Sequence, residues 1–338
     1  MADNMKILII QKKFMGDVLV TSTILPLLKK KYPKSEISFL LEEKHAQILI
    51  GNPYIDHFLY FSNAPNKTLS ELSEYKFDLV IDLYSKIETA IITFFSGAKT
   101  RIGFFKKYTQ FFYNHAVKRS TKVKSKNTTL GIEHRLQMLE PLGIPFQEVF
   151  PKVYIQEDEL EKAHQILKEN GLSASDDLIM ISTFGSSEEK TYPIEYMAEL
   201  LEFIVDYKSS AKILCNYLPS QKELFETLYS QLSDRAKSSI IKNFDTKNLR
   251  EFAAVTSLCK SLIGNEGGAT NVSKSLDIPT FTIFSPHIRK SDWAWTSKPE
   301  VDKFLHINDF VKDSKNYSDF KPSFLKTDLE EFLDQTIV

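Results

Sequence analysis

Residues 261–286 read SLIGNEGGATNVSKSLDIPTFTIFSP and carry the most specific structural pattern in the sequence. An apolar run leads into Gly267 and Gly268, a short polar segment follows, and a second apolar run begins near Pro279. This order predicts a strand, a helix opened by the glycine pair, and a second, parallel strand. A helix start leaves backbone N–H groups free, and its dipole favours anions. The glycine pair is therefore a candidate diphosphate site.

The same alternation of apolar runs and amphipathic stretches extends along the chain, and it predicts an α/β protein with parallel sheets covered by helices. The predicted strands are 6–10, 36–41, 58–61, 78–83, 178–182, 211–216, 239–241, 261–264 and 279–284. Helices are predicted over 18–32 and 130–142, and another is predicted to begin near Pro193.

The length of 338 residues suits two domains, each large enough to bury a core. The strand-and-helix alternation pauses between about 141 and 157, where Pro145 and Pro151 flank a loop. We therefore predict Rossmann-like domains over 1–152 and 153–320, and a C-terminal helix over 321–338 that crosses back to the first domain. Two such sheets facing each other would place ligands in a central cleft, at the carboxyl ends of the strands.

The composition is that of a soluble globular protein, with 42% apolar residues, 26% charged residues and a formal net charge of -1. This charge gives no general attraction to nucleic acid or membrane. The apolar runs are too short for a secretory signal or a membrane span, so we expect a cytoplasmic protein. Cys215 and Cys259 lack metal-ligand spacing and are interpreted as reduced packing residues.

Several chemical motifs are absent from the sequence. It contains no Gly-x-Gly-x-x-Gly, no P-loop, no His-Glu-x-x-His and no Asp-x-Asp. We therefore expect no cofactor, and chemistry that does not depend on a bound metal.

The first strand-to-helix junction carries a candidate catalytic carboxylate. Gly16 permits a tight turn, and Asp17 is placed to cap the helix that follows. Helix capping alone would explain an aspartate at position 17. The alternative is a general base at the edge of the ligand site, which need only reach the hydroxyl that it deprotonates.

The loop after the predicted strand 178–182 is a second candidate phosphate site. Ser186 and Ser187 supply hydroxyl groups and Lys190 supplies a compact positive charge, which together suit a diphosphate. A polar loop of this kind also occurs simply as a helix boundary.

Residues 89–132 form a strongly basic segment that contains no Asp or Glu. Its cations, interleaved with eight aromatic residues between 94 and 113, are Lys99, Arg101, Lys106, Lys107, Lys118, Arg119, Lys122, Lys124 and Lys126. The segment is either a solvated face or a surface for a phosphorylated, lipid-linked acceptor or an anionic bilayer.

Taken together, these stretches resemble family 9 glycosyltransferases, the bacterial heptosyltransferases of lipopolysaccharide core assembly. The similarity extends from about Lys6 to Trp293, and the order of its parts is more specific than any one of them. The matching stretches are 6–10 (KILII), 15–19 (MGDVL), 26–29 (PLLK), 52–56 (NPYID), 101–104 (RIGF), 134–135, 142–143, 185–193 and 264–279.

The resemblance implies the GT-B fold, with an acceptor-binding first domain and a donor-binding second domain. It implies transfer of a heptose from ADP-heptose to the lipopolysaccharide inner core, with inversion and without metal, by a peripheral enzyme at the inner face of the cytoplasmic membrane. It assigns Asp17 as the base. The implied donor-binding residues are Ser186, Ser187, Lys190, Glu266, Gly267, Gly268 and Asn271, and the candidate acceptor-binding residues are Arg101, Lys106 and Lys107.

Three positions differ from the family pattern: Glu266 replaces the usual Asp, Asn271 the usual His and Tyr192 the usual Trp. Because Glu266 and Asn271 belong to the implied donor site, another nucleotide-sugar such as a UDP-hexosamine is an alternative donor. A catalytically silent relative that only binds sugar, and an unrelated sugar-binding protein with two lobes, are further alternatives.

Overall fold

The computed structural model describes residues 4–62, 65–242 and 244–337. It divides into two compact units, Met1–Tyr154 and Ile155–Val338. The sequence placed this boundary between 152 and 153. Each unit is a parallel β-sheet covered by helices.

The first unit contains a six-stranded parallel sheet in the order β3-β2-β1-β4-β5-β6, the strand order of dinucleotide-binding Rossmann folds. Its strands are β1 (Lys6–Ile10), β2 (Glu36–Leu41), β3 (His57–Tyr60), β4 (Leu79–Asp82), β5 (Thr100–Phe104) and β6 (His115–Val117). Its helices are α1 (Met15–Thr21), α2 (Leu25–Lys31), α3 (Pro65–Ser73), α4 (Ile87–Phe95) and α5 (Leu130–Gln137).

The second unit contains a five-stranded parallel sheet in the order β11-β10-β9-β7-β8. Its strands are β7 (Leu178–Ser182), β8 (Lys212–Asn216), β9 (Ser261–Asn265), β10 (Thr280–Phe284) and β11 (Lys303–His306). Its helices are α6 (Glu157–Glu169), α7 (Ile194–Tyr207), α8 (Lys222–Ser230), α9 (Asp234–Ser239), α10 (Leu249–Thr256), α11 (Gly268–Ser275), α12 (Lys290–Trp293) and α13 (Lys326–Thr336).

The central strands are buried along nearly their whole length, as expected where helices cover both faces of a sheet. In β1, the four residues from Ile7 to Ile10 are fully buried. Each such aliphatic side chain stabilises the fold by roughly 1.5–3 kcal/mol relative to an exposed one. Cys215 and Cys259 are free and buried in the second unit.

The C-terminal helix α13 packs into the core of the second unit. Leu329, Phe332 and Leu333 are fully buried there, and the Phe332 ring lies 5.7 Å from that of Phe281 in β10. The sequence had predicted that this segment, 321–338, crosses back to the first domain. Val338, its last residue, lies outside the described residues, as do residues 1–3 at the start of the predicted first domain.

Four strand assignments differ from the sequence prediction. The predicted strand 239–241 is wrong, because Ser233 caps a helix that continues to Ser239, and only Ile240 bridges to β8. Strands β5, β6 and β11 were not predicted. Strands β6 and β11 have only three and four residues, and each of the three strands contains a basic residue or a histidine within or at the end of its apolar run.

The predicted helix 18–32 consists of α1, a 3-10 turn and α2. Helix α1 begins at Met15, with Phe14 as its N-cap. The prediction that Asp17 caps the helix is therefore wrong, and Asp17 lies within the first turn. The dipole of the helix favours a carboxylate there as well. None of the helices in the described residues is both long and apolar enough to cross a bilayer.

Candidate functional sites

Each sheet has a point at which its strand order reverses, and the candidate residues follow the strands on both sides of it. In open α/β sheets, ligands bind beyond the carboxyl ends of the strands at such a point. In the first sheet the point lies between β1 and β4, and Asp17 follows β1. In the second sheet it lies between β7 and β9. The loop 183–192 follows β7, and Glu266 with the start of α11 follows β9.

In the first unit, Asp17 is paired with a nearly buried arginine. Its carboxylate oxygen Oδ1 accepts a hydrogen bond of 2.5 Å from Nη2 of Arg135, and Lys13 Nζ lies 3.6 Å from the same oxygen. Arg135 lies on α5 and donates its other terminal nitrogen to the Gly131 carbonyl at 2.7 Å. Burial lowers the pKa of the Arg135 guanidinium, and the Asp17 carboxylate opposes that shift. This pairing fixes the position of the carboxylate.

Further cations lie close enough to influence this pair. The Arg119 guanidinium lies 4.1 Å from the centre of the Phe104 ring, and it interacts electrostatically with Asp17 and Arg135. Arg119 and Arg135 were not singled out from the sequence as site residues. Arg119 was one of nine cations in a basic segment, and Arg135 was only part of a family motif. Their proximity to Asp17 depends on contacts across more than a hundred residues of chain and is not visible in local patterns.

The three predicted acceptor-binding residues occupy different environments. Arg101 lies near the amino end of β5, where it donates to the carbonyls of Ala98 at 2.7 Å and Phe112 at 3.1 Å. Lys106 follows β5, donates to the Tyr84 carbonyl at 3.3 Å and interacts electrostatically with Arg119. Burial lowers the pKa of Lys106. Lys107 is exposed. The structure thus brings Lys106 to the Asp17 end of the sheet and places Arg101 at the other end.

In the second unit, Asn265 at the end of β9 anchors the loop 183–192. Its side-chain nitrogen donates to the carbonyls of Ser182 at 3.1 Å and Thr183 at 2.9 Å, and its oxygen accepts from the Tyr192 amide at 2.6 Å. Tyr192 is fully buried, and its hydroxyl donates to the Phe320 carbonyl at 2.6 Å. The loop is therefore held at both ends.

Two glycines permit the close approach of this loop to its neighbours. Gly264 has φ +131°, and a Cβ there would collide with the Ser182 carbonyl oxygen. A Cβ on Gly185 would collide with the Lys190 backbone. Ser186, Ser187 and Lys190 are exposed on this closely packed loop. Their side chains are available to a ligand.

The glycine pair opens helix α11, as the sequence predicted. Gly267 is the N-cap, and a Cβ there would have no described atom within 4 Å. Asn271, on the next turn, donates to the Gly267 carbonyl at 2.9 Å and accepts from the buried Trp295 indole at 3.2 Å. Burial raises the pKa of Glu266, while Lys274, Lys190 and the Asn271 amide act in the opposite direction. Glu266, Lys190 and Asn271 therefore belong to one electrostatic cluster at the start of the helix.

Lys274 is a charged residue behind this cluster that sequence reasoning missed. It is 4% exposed, and its ammonium donates to the Trp293 carbonyl at 2.8 Å and lies 4.3 Å from the centre of the Trp295 ring. Burial lowers its pKa to about 7, against the opposing effect of Glu266 and Asp302. Gly267, Asn271 and Lys274 are four and three positions apart, so they lie on one face of the helix. This spacing is the sequence signal that could have identified Lys274.

The described residues contain no group of three or more His, Cys, Asp or Glu side chains arranged to hold a metal ion. The expectation of chemistry without a metal stays a prediction.

Two parallel sheets with candidate ligand residues at their switch points define the class of two-domain α/β proteins with Rossmann-like sheets. The comparison with known proteins is more specific: the model of glycosyltransferase family 9 (heptosyltransferase) matches residues 66–309, and the chain belongs to this family. It is a glycosyltransferase.

The chain is similar to lipopolysaccharide heptosyltransferase 1 of Campylobacter coli, with 24% identity over 97% of this chain and 96% of the relative. Among solved structures it is similar to the family 9 glycosyltransferase of Veillonella parvula, with a TM-score of 0.80 and 20% identity over 99% of both chains. It is also similar to the ADP-heptose lps heptosyltransferase II of E. coli, with a TM-score of 0.74 and 17% identity over 98% of this chain and 99% of that chain. The predicted GT-B fold is confirmed; the central cleft stays a prediction.

Proposed function

We propose that this protein is an inverting heptosyltransferase of lipopolysaccharide core assembly, with ADP-heptose as donor. The observation that carries the proposal is the anion-binding arrangement at the β7/β9 switch point. There the free N–H groups at the start of α11 combine with Lys190 and the hydroxyls of Ser186 and Ser187. The E. coli relative named above is an ADP-heptose heptosyltransferase, and its similarity supports this choice of donor.

In the proposed reaction, an acceptor hydroxyl attacks the anomeric carbon of the donor sugar while Asp17 accepts the hydroxyl proton. The bond from the anomeric carbon to the diphosphate oxygen breaks, and its electron pair leaves with ADP. Attack from the face opposite the leaving group inverts the configuration. The positive end of α11 and Lys190 stabilise the charge that develops on the leaving diphosphate.

Glu266 and Asn271 are proposed to contact the donor sugar or its phosphates. The Asn271 side chain is held from both sides, by the Gly267 carbonyl and the Trp295 indole, so it presents a fixed amide. Glu266 is longer than aspartate by one methylene group. It therefore reaches further from the end of β9 and defines a different sugar contact.

On the acceptor side, we propose Lys106 and Arg119 as contacts for acidic groups, because Arg119 interacts electrostatically with Asp17 and Arg135, and Lys106 interacts with Arg119. The proposed acceptor is a lipid-linked core oligosaccharide. We further propose that the protein works in the cytoplasm and at the inner face of the cytoplasmic membrane.

The test is a turnover assay with ADP-heptose and a short, lipid-free core acceptor. The unaltered protein should transfer heptose, and Asp17→Asn should lower kcat by about 100-fold or more, because general-base catalysis contributes on the order of 10²–10⁴. The variant should bind ADP as the unaltered protein does. Equal turnover by both proteins would contradict the assignment of Asp17.

The alternatives predict other results. Calorimetry that detects UDP binding and no ADP binding would favour a different nucleotide-sugar donor. Binding of ADP-heptose without any transfer would favour a catalytically silent relative.

A further inference from the structure

The first unit exposes a group of phenylalanine rings that its core does not use. Phe94 and Phe95 end helix α4, and Phe111 and Phe112 belong to a 3-10 turn after β5. Phe95 is 65% exposed and Phe111 80% exposed. The Phe94 ring lies 5.4 Å from that of Phe95 and 5.9 Å from that of Phe112. We call these four residues the phenylalanine surface.

The backbone beneath this surface is ordered by Arg101. Its guanidinium lies 5.6 Å from the centre of the Phe94 ring and donates to the carbonyls of Ala98 and Phe112. Arg101 thereby ties the segment after α4 to the 3-10 turn. The exposed rings are consequently held on a fixed scaffold.

The surroundings of the phenylalanine surface are basic. Residues 89–132 contain no acidic residue. Lys99 and Lys107 are exposed, and each lies four positions in the chain from a ring of the surface. Tyr108 is 56% exposed and lies 6.0 Å from the Lys106 ammonium, which interacts electrostatically with Arg119. Tyr108 and Lys106 thus add a further exposed ring and a further cation within the same acid-free segment.

We propose that the phenylalanine surface docks on an anionic lipid bilayer, with Phe95 and Phe111 inserted at the headgroup level. Exposed aromatic side chains with neighbouring lysines are the combination that holds peripheral proteins at a membrane interface. The lysines favour an anionic headgroup, whereas a second copy of this surface would bring like charges together. That the bound bilayer carries the acceptor rests on the proposed function; the docking itself does not.

The experiment is co-sedimentation with vesicles of phosphatidylcholine alone or mixed with phosphatidylglycerol, without donor or acceptor. The unaltered protein should bind the mixed vesicles more tightly than phosphatidylcholine vesicles. The double variant Phe95→Ser/Phe111→Ser should bind mixed vesicles about tenfold more weakly or worse, because apolar burial is lost. Lys99→Glu should weaken binding to the mixed vesicles only.

Ile50→Ser and Lys315→Glu are matched controls, because both positions are exposed and lie outside the surface. They should bind vesicles as the unaltered protein does. Circular dichroism should show that all variants are folded. Equal vesicle binding by the double variant and the unaltered protein would overturn the proposal, as would a change in sedimentation velocity that shows the surface joins two copies.

The activity assay separates this proposal from the proposed function. With the soluble acceptor, Phe95→Ser/Phe111→Ser should transfer heptose at the rate of the unaltered protein. With the acceptor embedded in vesicles, the same variant should be slower. If no transfer is seen with any protein, the proposed function fails, whereas vesicle binding still decides the docking proposal.

Discussion

At the residue scale, two glycines three positions apart at the end of β9 have opposite roles. Gly264 is required by the fold, because it has φ +131° and its missing side chain makes room for the Ser182 carbonyl. Gly267 has extended backbone with φ 166°, and open space surrounds the place of a Cβ. The fold therefore does not require the second glycine, which lies at the proposed donor site.

We expect Gly264→Ala to lower the free energy of unfolding by about 1–3 kcal/mol, because of backbone strain and the collision with Ser182. Gly267→Ala should change it by less than about 0.5 kcal/mol and weaken ADP binding by about tenfold, since a methyl group would stand at the helix start. Urea unfolding and calorimetry measure the two effects. An unchanged free energy of unfolding for Gly264→Ala, or unchanged ADP binding by Gly267→Ala, would contradict this division of roles.

Lys274 makes the stability of the protein depend on pH. Its pKa is about 7 in the folded protein and near the ordinary 10.5 in the unfolded chain. Between these values the unfolded chain binds a proton that the folded protein releases, so the free energy of unfolding rises with pH in this window.

Relative to Lys274→Met, the unaltered protein should therefore gain about 3 kcal/mol of stability between pH 7 and pH 9.5. Urea unfolding of both proteins at the two pH values checks this. Lys260→Met, at an exposed lysine, should show no such difference. A gain that is zero or has the opposite sign would show that burial does not disfavour the Lys274 charge.

At the scale of elements, the loop 183–192 depends on one side chain of β9. Asn265→Ala removes the three hydrogen bonds to Ser182, Thr183 and Tyr192. Buried groups left without partners make such changes costly, and we expect a loss of about 2–3 kcal/mol. Amide hydrogen exchange should become faster in residues 183–192 and stay unchanged in β1. Unchanged exchange in the loop would mean that Asn265 does not anchor it.

The sequence predicted the elements whose signal is local. Strands β1, β2 and β7 are mostly apolar, and the sequence predicts them with their observed bounds. The glycine pair likewise identified the start of α11. Strands β5, β6 and β11 have no such signal, because their apolar runs are very short and lie beside a basic residue or a histidine. Pairing with a neighbouring strand compensates for this.

The sequence likewise predicts only those site residues whose signal is local. Asp17 and the loop 183–192 follow apolar strands, which local patterns locate. Local patterns do not show the ion pair between Asp17 and Arg135 or the contact of Lys274 with Trp295. Both form only when distant segments pack together. Arg101 was predicted to bind the acceptor, but its guanidinium is occupied by two backbone carbonyls of its own unit.

At the scale of the whole molecule, the two units should respond differently to nucleotide. We expect ADP to slow amide hydrogen exchange in residues 183–192 and at the start of α11, because the proposed diphosphate site lies there. AMP, which lacks the second phosphate, should protect these amides less. Exchange in the sheet of the first unit should not change. Protection by ADP that is confined to the first unit would contradict the proposed donor site.

The two native cysteines are too unreactive to interfere with site-specific labelling of introduced cysteines. Cys215 and Cys259 lie inside the second unit, and burial raises the pKa of each thiol to about 12. A thiol that is neither exposed nor ionised reacts slowly with maleimides. One cysteine introduced on the surface of each unit could then carry a spectroscopic label without background from the native pair, and the distance between the labels would show whether the units move during turnover.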